Sequence, residues 1–137
     1  MEIQSVNPEE WGSEAWKFLH YVALVYPKNP SDEDKKNYKN FFYSLQHVLP
    51  CSKCSENYKE HLQKIPIEEA LNNNDTLFKW TIDIHNEVNL MTNKDKFTYD
   101  KAYDLYLNKD KSIQDNFMVF GFILLIVMFL LYVKSYV

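Results

Sequence analysis

The sequence predicts an all-α protein, an up-and-down bundle of four or five short helices followed by one C-terminal transmembrane helix. Three observations carry that expectation. Helix-start signals recur along the chain as far as Asn108, each followed by apolar residues at helical spacing. No stretch reads as a strand and there is no internal repeat, which points to helix packed on helix. Phe117 to Val133 is a run of seventeen residues without a charge, apolar on every side.

The elements follow in order. Asn7-Pro8-Glu9-Glu10 reads as a helix start, with Asn7 as cap, Pro8 at the first helical position and Glu10 as the capping-box acid. This helix is expected to run to about Tyr26, with Gly12 a weak point inside it, and to end at the Pro27–Pro30 turn. Ser31-Asp32-Glu33-Asp34 opens the second helix, with Asp34 as its box acid and Phe41, Leu45 and Val48 as its apolar stripe. Pro50 starts a third helix that carries Cys51 and Cys54 in its first turn and runs to about Lys64. After the polar break Asn72-Asn73-Asn74, Asp75 caps a fourth helix with Leu77, Trp80, Ile84, Val88 and Met91 on one face. A fifth, about Thr98 to Asn108, carries Ala102, Leu105 and Tyr106. The expected organisation is therefore a domain over 1–108, a polar linker over 109–116 and a membrane span over 117–133, which at 1.5 Å per residue reaches about 26 Å.

Composition bounds the function. A length of 137 residues suits one compact domain of about 100 residues plus an appendage. A domain of that size often leans on a cofactor or a second subunit. A net charge of −4 gives no basic field for nucleic acid. The only glycines are Gly12 and Gly121, so a glycine-rich phosphate loop is excluded and any dinucleotide must be held by side chains. Aromatic residues make up 16% of the chain, which fits either a stacking site for a flat cofactor or a core rich in Phe and Tyr.

The two cysteines form one C-x-x-C, Cys51-Ser52-Lys53-Cys54. A loop that short removes little unfolded-chain entropy, so the pair is a poor structural staple. At a helix N-terminus, with Lys53 between them, the thiols are favoured as thiolates, the form that attacks disulfides. Zinc held together with His47 and His61 is the competing reading, although the spacing is not that of a zinc finger. On the motif alone, redox, metal and incidental readings all stay open. Trp16 and His20 are four apart on one helix face, as a core pair or as part of a site. His85 and Asn89 flank the apolar stripe of the fourth helix, and if buried they need partners from a polar helix end or from a ligand.

Together, Trp11-Gly12-Ser13-Glu14-Ala15-Trp16, Leu19-His20, Tyr26-Pro27, Pro50-Cys51-Ser52-Lys53-Cys54, Trp80, His85-Asn86-Glu87-Val88-Asn89, Lys94 and Phe97 resemble the Erv/ALR family of FAD-dependent sulfhydryl oxidases. The likeness is greatest to the short forms of large DNA viruses and covers about residues 8 to 106. It implies a four-helix bundle plus a short fifth helix, a homodimer, and FAD bound through Gly12, Trp16, His20, Tyr26, Trp80, His85, Asn86, Val88, Asn89, Lys94, Phe97 and Tyr106. It implies that Cys54 meets the flavin while Cys51 meets incoming thiols from a protein substrate, such as a thioredoxin-like viral protein, with oxygen as final acceptor and hydrogen peroxide as product. Ser13 stands where the family often has arginine, Tyr106 stands for a late tryptophan, and the shuttle and structural cysteines of cellular members are absent. The rival expectation is a membrane-bound helical adaptor with a zinc-bound Cys/His cluster. A thioredoxin-type fold lacks the strands it would need.

No cationic N-terminal signal precedes the first apolar stretch, and the uncharged run ends four residues before Val137. These features predict a tail anchor with the oxidase domain in the cytosol, on a virion or virus-factory membrane. Lys109 and Lys111 before the run, against Lys134 after it, agree with that orientation.

Overall fold

The structure, a computed structural model, describes residues 5–108 and, further along, residues 120, 121, 123–126, 128 and 131. The chain divides into two compact units, Met1–Tyr99 and Asp100–Val137. The first unit holds four α-helices and one 3-10 helix, and no strand occurs among the described residues.

Helix α1 is Pro8–Leu24. Asn7 caps it by accepting the Glu9 N–H at 3.2 Å, but the capping box expected from Glu10 does not form. Helix α2 is Asp32–Val48, and here the box is complete, with Ser31 and Asp34 exchanging hydrogen bonds of 2.9 and 3.1 Å. Helix α3 is Ser52–Lys64. It starts two residues later than expected, because Cys51 is extended (φ −156°) and serves as the cap. A 3-10 helix, Ile67–Ala70, follows, which no helix-start signal predicts, and Ile67, Ala70 and Leu71 are buried. Helix α4 is Asn74–Met91, capped by Asn73 in a reciprocal pair with Thr76, not by Asp75. Its end is a Schellman turn. Asn93 sits in the left-handed region (φ 53°), its N–H donates to Leu90 O at 3.3 Å, and the Lys94 N–H donates to Asn89 O at 2.8 Å. Asparagine tolerates that conformation better than other non-glycine residues.

In the first unit α1 packs on α4, α2 on α3, and both α3 and the 3-10 helix on α4. Phe42, Leu77, Phe78, Ile82 and Ile84 are closed to solvent in this core. Burying such a side chain contributes about 1.5–3 kcal/mol. The stripe of α2 is rotated from expectation: Phe42 is the core residue, Phe41 and Leu45 are half-buried, and Val48 is 66% exposed. The reason is tertiary. Phe42 meets the Trp80 ring edge-on at 5.1 Å, while its neighbour Phe41 turns toward Phe18 at 6.2 Å.

Helix α5 is Tyr99–Leu107 and belongs, from Asp100 on, to the second unit; Ala102 is buried, and an Asn108–Asp104 hydrogen bond of 2.7 Å closes the helix end. Among the described residues no helix is long and apolar enough to cross a membrane. The span expected over 117–133 lies for the most part outside them and rests on sequence alone.

Candidate active site

Cys51 and Cys54 are joined in a disulfide, with Cα atoms 5.2 Å apart. The extended cap conformation of Cys51 turns its sulfur back over the first turn of α3, where it accepts the Cys54 N–H at 3.2 Å. The approach to the pair is fixed from the N-terminus: the Val6 N–H donates to Pro50 O at 2.7 Å, and the Trp11 indole donates to Val6 O at 3.4 Å. Cys51 is 7% exposed and Cys54 is half-buried, so exposure does not favour Cys51 as the sulfur that incoming thiols reach.

Both cysteines open onto a cleft of about 430 Å³ walled by α1, the C-terminal end of α2, α3 and the C-terminal end of α4. Of the residues singled out from sequence, Gly12, Trp16 and Val88 also line it. Gly12 has open space where a Cβ would stand, so its place in α1 is not forced by a close contact. Sequence reasoning missed Trp11, Leu45, Tyr58 and Met91 in the lining. Tyr58 is held by a hydrogen bond to Phe42 O at 3.1 Å, and burial pushes its phenol well above the usual range.

Trp16 links this cleft to a histidine cluster. Its ring lies on that of His85, with centroids 4.2 Å and planes 6° apart, and 6.0 Å from that of His20. His20 Nε2 is 3.1 Å from His85 Nδ1, and His20 Nδ1 is 2.9 Å from Thr81 Oγ1. Phe97 stands 6.3 Å from both imidazoles. Burial, reinforced by His85, depresses the pKa of His20 to about 3; burial, reinforced by Lys94, depresses that of His85 to about 4. Both rings are therefore neutral at physiological pH.

Asn86 holds Phe97 in place. Its amide donates to Phe97 O at 2.9 Å and accepts the Phe97 N–H at 2.7 Å. The Asn89 amide reaches Asn86 Oδ1 at 3.4 Å, and Asn89 O anchors the turn at exposed Lys94. These asparagines are thus the latch of the segment after α4.

Two expected cofactor residues belong to the core. Tyr26 is buried, donates to Leu71 O at 3.1 Å and packs on Tyr38. Trp80 is buried, and its indole donates to Ile65 O at 2.9 Å. Neither lines the cleft. Tyr106 lies on α5, in the second unit.

A zinc cluster finds no ligand set. Among the described residues there is no group of three metal-ligating side chains, and the two sulfurs are bonded to each other. His61 is buried, with Nε2 lacking a hydrogen-bond partner among the described residues, and burial lowers its pKa.

The order of these elements is matched elsewhere. The model of the Erv1 / Alr family matches residues 13–107. The chain belongs to this family. Among its Erv1 / Alr relatives, a probable FAD-linked sulfhydryl oxidase of Acanthamoeba polyphaga mimivirus is 51% identical over 100 residues, covering 72% of this chain and 70% of that protein. The mitochondrial FAD-linked sulfhydryl oxidase of Saccharomyces cerevisiae is 30% identical over 97 residues, which is 70% of this chain but only 50% of the yeast protein. In three dimensions the crystal structure of the yeast Erv1 core overlays with a TM-score of 0.71 at 25% identity, covering 80% of this chain and 91% of that one. The FAD binding domain of yeast Erv1 overlays with a TM-score of 0.70 at 26% identity, over 75% and 96% of the two chains.

Proposed function

We infer that the chain is an FAD-linked sulfhydryl oxidase whose chemistry is carried by the Cys51–Cys54 pair. The observation behind this reading is the placement of that disulfide on a cleft walled by Trp16, in a member of a family whose relatives bear that name.

The residues present fit FAD. Trp16 offers a flat aromatic wall. The half-buried His85 ring meets His20 through Nδ1, which leaves Nε2 for a ligand. Gly12, Trp16 and Val88 in the cleft, with His20, His85 and Phe97 beside Trp16, are the residues that would hold the cofactor. When bound, FAD supplies a two-electron acceptor that oxygen can reoxidise, with hydrogen peroxide as product.

The protein's own part is thiol exchange. A substrate thiolate attacks Cys51 Sγ, the Cys51–Cys54 bond breaks, and Cys54 leaves as a thiolate. A second substrate thiolate displaces Cys51, releasing the substrate as a disulfide and leaving the pair as a dithiol. Each turnover thus takes two electrons and two protons from two thiols. The Cys54 N–H that reaches Cys51 Sγ would also hold that sulfur as a thiolate once the pair is reduced. Giving Cys51 to incoming thiols and Cys54 to the cofactor rests on the family resemblance. The direct test is an absorption spectrum of the purified protein before and after a dithiol is added. Flavin bands that bleach anaerobically and return with air are expected; a colourless protein would overturn the reading.

The wider setting is also proposed. Residues 117–133, uncharged throughout, anchor the protein in a membrane with the oxidase domain on the cytosolic side. The cytosol keeps thiols reduced, so an oxidase there implies a dedicated protein substrate at a site such as a viral assembly membrane. Protease added to sealed membranes should digest the domain and spare a fragment of a few kilodaltons; protection until detergent is added would place the domain in the lumen.

A further inference from the structure

Thr81 is one residue that no motif singled out. It is 1% exposed, on the face of α4 that meets α1, and its hydroxyl touches two groups. Thr81 Oγ1 is 2.7 Å from Phe78 O and 2.9 Å from His20 Nδ1. Two oxygens that close repel unless a proton lies between them, and a carbonyl has none to give. The single hydroxyl proton of Thr81 is therefore donated to Phe78 O. What Thr81 offers His20 is a lone pair, so His20 Nδ1 carries a hydrogen.

The consequence passes outward. A neutral imidazole has one N–H, so with Nδ1 protonated His20 Nε2 is an acceptor. It lies 3.1 Å from His85 Nδ1, which must then be the donor. His85 is neutral too, so its remaining nitrogen, Nε2, carries a lone pair and no proton. We propose that Thr81 is a positioning residue: through His20 it fixes His85 as the Nδ1–H tautomer and makes His85 Nε2 a hydrogen-bond acceptor for a hydroxyl or amino group of the bound cofactor.

For the two histidines taken alone the opposite polarity would serve equally well, which is why something must choose. If His20 were protonated on Nε2 it would donate to His85 Nδ1, and His85 Nε2–H would point outward as a donor. That arrangement would refuse the same amino group and would take a hydroxyl only with its polarity reversed. With Thr81 polarised by Phe78 O, the reversed chain would also set the Thr81 oxygen against an unprotonated His20 Nδ1, lone pair to lone pair at 2.9 Å. A valine at 81 would remove that choice while keeping the shape.

The test reads tautomers directly, and that part does not depend on the cofactor reading. In the full chain with ¹⁵N-labelled histidine, long-range proton–nitrogen correlation spectra distinguish the two ring nitrogens of His20 and His85. With and without FAD, both histidines should be found with the proton on Nδ1. In Thr81→Val the Nε2–H form of His85 should appear, and Thr81→Ser should restore the wild-type pattern. FAD affinity should fall about tenfold in Thr81→Val, about 1.4 kcal/mol, and return in Thr81→Ser. A wild-type His85 protonated on Nε2, or a Thr81→Val spectrum unchanged from wild type, would overturn the relay. A shifted tautomer with unchanged FAD affinity would overturn its link to the cofactor. A protein that binds no FAD, yet shows the expected tautomers, would overturn the cofactor reading and leave the relay standing.

Discussion

The Trp16 ring lies parallel to the His85 ring at 4.2 Å, so one residue forms both the wall of the cleft and a cover for the His20–His85 pair. Removing it opens both. Trp16→Ala is expected to weaken FAD retention at least tenfold, about 1.4 kcal/mol, while Trp16→Phe keeps most of it. Absorbance of the protein after gel filtration reads this, and full retention by the alanine variant would remove Trp16 from the cofactor site.

The two sulfurs should separate by spectrum. Cys54→Ser and Cys51→Ser are both expected to lose oxygen consumption with a dithiol while keeping FAD, because each leaves half of the exchange. Only Cys51→Ser leaves Cys54 as a free thiolate, so a long-wavelength charge-transfer band should appear in that variant alone. The same band in Cys54→Ser instead would reverse the roles, an outcome the greater burial of Cys51 makes worth checking.

Asn86 satisfies both backbone groups of Phe97. Asn86→Ala leaves a half-buried carbonyl and N–H without that partner, which costs about 1–3 kcal/mol for each group that water cannot reach. The expected result is a lower thermal midpoint together with loosened FAD, since Phe97 stands beside His20 and His85. A variant with wild-type stability and FAD affinity would show that the latch is dispensable.

Acid should unfold the protein early. The pKa values of His20 and His85 are depressed to about 3 and about 4, against 6.5 in the unfolded chain. Below 6.5 the unfolded state binds more protons, so stability is fully present above about pH 6.5 and falls until pH passes about 4 for His85 and about 3 for His20. Each histidine can contribute up to about 1.4 kcal/mol of loss per pH unit in that window. The carboxyls of Asp34 and Glu68 are held low by hydrogen bonds from Ser31 and Lys39, and their contribution is lost only at lower pH. Urea midpoints measured at pH 7.5 and pH 5.5 should differ clearly, and His20→Gln should flatten the difference; an equal midpoint at both would contradict the neutral histidine pair.

Homodimerisation through α1 and α2 is expected from the family resemblance, and Phe18 of α1 (58% exposed) and Val25 just past its end (73% exposed) offer apolar surface for it. Sedimentation of the full chain in detergent should report a dimer, and Phe18→Glu should shift it toward monomer. A wild-type monomer at micromolar concentration would count against the interface.

Much of the fold was written locally. The caps at Asn7 and Ser31, the proline at the start of α1 and the C-x-x-C at the head of α3 depend on neighbours a few residues away, and a sequence displays those. What lay between distant segments was not legible. That Phe42 and not Phe41 enters the core depends on Trp80, thirty-eight residues later. That Tyr26 and Trp80 close the core depends on carbonyls of Leu71 and Ile65. A buried polar atom must find a partner wherever the chain brings one, and separation in sequence does not say where. The sequence alone determined a helical domain with a redox-capable cysteine pair. Only the tertiary structure decided that Thr81 of α4 meets His20 of α1, because the local Thr81–Phe78 hydrogen bond can orient a histidine only where packing brings one within reach.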